Sequence, residues 1–145
     1  MDLLKKGDVQ PNGLTALLDS LDTFIDDIGN SLNEMSVRPG KVIIFILTDG
    51  YENSSCRLRG YEGRDKLTKK IKHQEEKYLW TFYYAGANQD SIKVGASLGI
   101  NMETCVDYGF TGDALGSAMI TASSAILRER GGGSSGFTNE ERETL

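Results

Sequence analysis

The chain lacks the features that mark several function classes. Its 145 residues include 16 Lys or Arg against 21 Asp or Glu, a formal charge of −5. The single basic cluster is KLTKKIK at 66–72. Nucleic-acid binders carry a basic face, so this balance argues against that class. No apolar run approaches the ~18 residues of a membrane span. The opening MDLLKKGDVQPNG has no apolar core of about 7–15 residues, so no secretory leader is expected. Two cysteines, Cys56 and Cys105, make neither a disulfide framework nor a CxxC ligand pair. Free thiols in a reducing compartment account for them, and a cytoplasmic protein is expected. The one histidine, His73, lies among KIKHQEEK, where a solvated helix face is the plain reading. No Ser/His/Asp or Cys/His constellation can be built around it. A glycine-rich phosphate loop is missing too, because GGGSSG at 131–136 does not stand between a strand and a helix.

What is present is the composition of a globular domain, with 39% apolar and 26% charged residues. After the turn signal Pro11-Asn12-Gly13, apolar residues from Leu14 to Met35 step by three and four, which predicts a helix near 15–35. Its other face carries Asp19, Asp22, Asp26 and Asp27, and reads as solvated. Arg38-Pro39-Gly40 closes it. The run KVIIFILT at 41–48 predicts a buried strand. A second helix is expected near 64–77, and the aromatic LWTFYYAG at 79–86 predicts a second strand. A short helix near 89–98 should stop at Gly99 in a left-handed cap position. ETCVDY at 103–108 predicts a third strand and 112–129 a last helix. Cys105 reads as a small buried filler, and Trp80, Tyr83 and Tyr84 as core. GGGSSG and FTNEERETL read as a flexible linker and polar tail. The expected organisation is one domain over 1–130, followed by 131–145 as linker and tail.

Alternating helices and strands predict an α/β fold, a parallel Rossmann-like sheet of about three strands flanked by helices. Strands of such sheets are covered on both faces, so they read as continuous apolar runs, as Val42 to Leu47 does. Functional loops lie at the carboxyl ends of the strands. Asp49 and Asn88 each follow a strand directly and should share that rim. A carboxylate there can ligate a hard cation, accept a phosphoryl group, or cap its own loop through backbone N–H groups. Gly50 permits a close backbone approach under all three readings.

The segment VIIFILTDGYENSS resembles the fourth-strand signature of von Willebrand factor A-type domains, an apolar strand ending in Thr-Asp-Gly. PNGLTALLDSL at 11–21 is similar to that family's Gly-x-Thr loop opening an amphipathic helix. FYYAGANQDSIKVGASLGI at 82–100 looks like the next strand, Gly-Ala-Asn turn and helix of its bacterial and phage members. The likeness spans residues 9–108.

The resemblance implies a doubly wound fold with a metal-ion-dependent adhesion site. It implies Thr15 as a direct ligand of Mg2+, or of Mn2+ or Ca2+, and Asp49 as a ligand directly or through water. Gly13, Gly50, Ser54, Ser55 and Asn88 would line the rim. The family's remaining ligands lie on an Asp-x-Ser-x-Ser motif of its first strand, which this chain does not have; DSIKV and DALGS do not fit it. Only twelve residues precede Gly13, where the family has three strands and a helix. The chain thus looks like the C-terminal portion of such a domain with an incomplete, weakly binding site. The expected role is a non-enzymatic binding module or half-module. It would engage a protein partner whose acidic residue completes the cation's shell, or a separate N-terminal half carrying Asp-x-Ser-x-Ser. The alternatives are a small phosphotransfer domain with Asp49 as metal ligand or phosphoacceptor, and a truncated fragment that binds nothing.

Overall fold

A computed structural model describes residues 16–49, 57–87, 90–109 and 111–145. The elements run α1 (Leu17–Glu34), β1 (Ile43–Thr48), α2 (Gly60–Tyr78), β2 (Thr81–Ala87), α3 (Ser91–Ser97), a 3-10 turn (Met102–Thr104), β3 (Cys105–Tyr108), α4 (Gly112–Arg130) and α5 (Asn139–Glu143). The three strands form one parallel sheet in the order β1-β2-β3, with Ile43 opposite Thr81 and Tyr84 opposite Cys105. The expected parallel α/β architecture is what the chain adopts.

The central strand explains the two-layer cover. Phe82 and Tyr84 point to one face of β2, where they join Leu18, Ile25, Ile44, Leu67, Ile71 and Leu98 beneath α1 and α2. Tyr83, Ala85 and Ala87 point to the other, against Val106, Tyr108 and the Ala118 and Ala125 face of α4. Phe82, Tyr83 and Tyr84 are all fully buried. Both sides of a strand can be apolar only when each is roofed by a helix. Cys105 fills the contact between β3 and α3, since a Cβ on Gly95 would lie 2.3 Å from its Sγ. Burial pushes the Cys105 thiol up to about 11, which suits packing rather than reactivity.

Some boundaries differ from the sequence pattern. The second helix begins four residues early, at Gly60, and β2 begins late, at Thr81. Leu79 is not in the strand; it caps α2 in a left-handed conformation (φ 56°), its N–H bonded to the Gln74 carbonyl. Gly99 does take the left-handed conformation expected of it (φ 79°).

The aspartates of α1 are a solvated face only in part: Asp26 and Asp27 are exposed, but Asp19 and Asp22 are not. Asp22 is only 7% exposed. It pairs with Lys70 of α2, which is shared with Asp26 at 2.9 Å, and with Arg57 at 3.5 Å. Asp19 accepts backbone N–H bonds from Arg57 (3.0 Å) and Leu58 (2.9 Å). Burial disfavours the Lys70 charge, but hydrogen bonds to Asp22 and Asp26 outweigh it and raise its pKa. Asp19, Asp22 and Asp26 are the seam that seats α2 and the end of the preceding loop on α1.

Residues 131–145, whose composition suggested a loose linker and tail, pack back onto the sheet. Phe137 is buried edge-on against Tyr83, with ring centroids 5.4 Å apart. The Arg128 guanidinium grips both carboxylate oxygens of Glu141, at 2.7 and 3.0 Å. Arg142 donates to the carbonyls of Met102, Glu103 and Cys105. Thr138 and Glu141 form a reciprocal cap at the start of α5. One buried aromatic and several charge-assisted bonds are enough to order a segment whose glycines alone suggest freedom.

Candidate functional site at the carboxyl rim

Parallel pairing brings the ends of all three strands to one rim. Thr48 and Asp49 leave β1, Ala87 ends β2, and Tyr108 ends β3. Tyr108 reaches across β2 and donates its hydroxyl to the Thr48 carbonyl at 3.1 Å. Ala85 and Ala87 share the Tyr108 face of β2, and their small side chains leave room for the ring. Burial, then the negative charge of Asp49, raises the Tyr108 pKa, so the phenol remains a donor.

Asp49 is exposed and lines a cavity of about 460 Å³ with Ala16, Leu17, Ser20, Leu47, Thr48, Tyr108 and Leu115. Ala16 is the sequence neighbour of Thr15. The start of α1 and the end of β1, more than thirty residues apart in sequence, therefore meet at one site. Thr15, Gly13, Gly50, Ser54, Ser55 and Asn88 lie outside the described residues. Of the expected site residues, Asp49 alone can be located.

The donors available to a cation here are hard oxygens, one carboxylate with the Ser20 and Thr48 hydroxyls nearby in the same cavity wall. That chemistry suits Mg2+, Mn2+ or Ca2+ rather than a soft metal. Among the described residues, no three His, Cys, Asp or Glu side chains gather to hold a metal. A cation at Asp49 would keep most of its shell as water.

Two rim residues escaped the sequence reading. The Asp107 carboxylate on β3 accepts the Ser91 backbone N–H at 2.7 Å, which pins the start of α3 beside the β2 end. Asp90 caps the same helix by accepting from the Lys93 N–H at 3.1 Å. The signal was a lone carboxylate in an otherwise apolar strand, CVDY, but its partner is set by the sheet order. His73, by contrast, is exposed on α2 with its ring edge-on to Tyr78, and Trp80 is buried core, as expected of both.

Among the described residues, no helix is long and apolar enough to cross a membrane. Set against protein-family models, curated proteins and solved structures, the chain matches none. Its fold and the rim geometry therefore carry the functional reading.

Proposed function

We propose that this chain is a non-enzymatic, von Willebrand A-like half-module that binds a protein partner through a divalent cation at Asp49. The observation that carries the reading is the convergence of Asp49 with the residue following Thr15 on one rim cavity. Thr15 and Asp49 would be the chain's own ligands, and an acidic side chain of the partner would complete the shell.

Two uncovered surfaces support the half-module part of the reading. Among the described residues β1 pairs with β2 alone, and no described strand lies along its other side. In α4 the stretch Ala114 to Leu127 holds no charge, and Met119, Ile120 and Leu127 are 49%, 71% and 66% exposed on its outer side. Ser123 and Ser124 lie on the same exposed side, so the apolar surface there is broken into patches. A separate N-terminal half would cover both surfaces.

Titration with Mn2+ followed by its paramagnetic resonance is expected to give one weak site, with Kd on the order of millimolar for so few protein ligands. Asp49→Ala should abolish it. Tight binding that survives Asp49→Ala would overturn the assignment. The enzymatic alternative is separated by mass. With a small acyl phosphate as donor and Mg2+ present, no phosphoryl gain is expected. A gain that Asp49→Asn removes would make Asp49 a phosphoacceptor instead.

A further inference from the structure

At the opposite end of the sheet, before β1 and β2 begin, lies a second cavity of about 290 Å³. It opens between the C-terminal halves of α1 and α2, beneath the connection that carries Arg38, Pro39 and Gly40. Its lining is mixed: Ile25 and Trp80, 1% and 6% exposed, face it from the core, and Asp26, Asn33 and Gln74 are among its polar walls. Tyr78, half-exposed, stands at the lip.

Two glycines line this cavity without a steric reason to be glycine. A Cβ on Gly29 or on Gly40 would meet nothing within 4 Å, and neither has a positive φ. Gly29 lies inside α1, where glycine weakens a helix relative to alanine. A side chain at either position would enter open space at the cavity.

The charges around the mouth do not cancel. Lys41 is paired with Glu129 at 3.1 Å, and Asp26 with Lys70 at 2.9 Å. The Arg38 guanidinium instead bonds the neutral Asn33 side-chain oxygen at 3.1 Å, and no ion pair of the described residues includes it. A positive fork is thus held at the edge of an aromatic pocket, in a chain of net charge −5. Guanidinium favours planar carboxylates, and aromatic walls favour a ring.

We propose that this cavity binds a small aromatic carboxylate, its ring against Trp80 and Ile25 and its carboxylate on Arg38. The proposal is independent of the rim, since Asp49 lies at the other end of β1.

Trp80 is the chain's only tryptophan, so intrinsic emission reports this cavity directly. The probe is 3-phenylpropionate, compared with 3-phenylpropan-1-ol, on the full chain. The acid is expected to change Trp80 emission saturably, and the alcohol to bind roughly tenfold more weakly through loss of a charge-assisted bond. Arg38→Gln, at an exposed position, should bring acid and alcohol to equal affinity while ring binding persists. Gly29→Leu should fill the cavity and abolish the response to both, with the circular-dichroism spectrum unchanged. Asp49→Ala should leave every titration as in the parent. Equal affinities for acid and alcohol in the parent chain would overturn the proposal. So would an acid preference that survives Arg38→Gln, or a response untouched in a folded Gly29→Leu.

Discussion

Replacing Glu129 with alanine is expected to lower the melting temperature by about 10 °C, from a loss of about 3 kcal/mol. Glu129 lies near the end of α4 and is 2% exposed. Its carboxylate accepts from the Thr81 hydroxyl at 2.5 Å and the Tyr83 hydroxyl at 2.7 Å, and pairs with Lys41 at 3.1 Å. Burial pushes the Tyr83 phenol up to about 12, which keeps it a donor. Removing the acceptor leaves the Thr81 and Tyr83 hydroxyls without their buried partner. The Tyr83 oxygen also accepts the Gly136 N–H at 2.9 Å, so the effect passes to the C-terminal segment. Limited proteolysis should then cut within 131–136 sooner than in the parent chain. An unchanged melt with unchanged cleavage would show that the network contributes nothing.

The same network sets an acid sensitivity. Burial alone would raise the Glu129 pKa, but hydrogen bonds from Thr81, Tyr83 and Lys41 bring it below the ordinary 4.5. Glu141 is lowered as well, chiefly by its hydrogen bond from Arg128. A carboxylate whose pKa is depressed on folding contributes stability that is fully present above its unfolded value. That contribution is lost as the pH falls through the folded value. Acid denaturation should accordingly loosen the 131–145 segment, and Glu129→Gln should flatten the fall in stability below the ordinary carboxylate range.

Sedimentation at micromolar concentration is expected to show the isolated chain as associated species rather than a single monomer. The outer edge of β1 carries no charge or proline between Val42 and Leu47, and such edges pair with other chains. Ile44 and Ile46 cannot probe this edge, because both are buried beneath α1 and α2. Leu47 is the suitable position, being 36% exposed beside Thr48 and Asp49. Leu47→Lys combined with Ile120→Lys should shift the chain towards monomer without lowering its melting temperature. A parent chain that is already monomeric and melts cooperatively would mean that the edge is covered in another way. The half-module reading would then fall.

Much of this architecture was legible because local periodicity records local burial. Val42 to Leu47 and the aromatic run ending in Gly86 announced strands covered on both faces, and their alternation with helices required parallel pairing. Asp49 was legible as a rim residue for the same reason, since a residue that directly follows a parallel strand must lie at its carboxyl end. Leu79 was misread because an apolar residue next to an aromatic run has the composition of a strand, whereas the cap geometry of α2 claims it.

Periodicity was enough to fix the order of helices and strands, the parallel sheet, and the end of it at which Asp49 stands. Each of those follows from spacing along the chain. Which charges are buried, and which segments are held, emerges only once the elements pack. Asp22 looks like any solvated helix residue until Lys70 and Arg57 arrive from 48 and 35 residues away. Glu129 looks like the polar end of a helix until Thr81 and Tyr83 close over it. The glycine-rich stretch at 131–136 suggests freedom until Phe137 seats on Tyr83. A side chain's partners across the sheet leave no period in the sequence, because their spacing is set by crossovers and not by the pitch of a helix or strand.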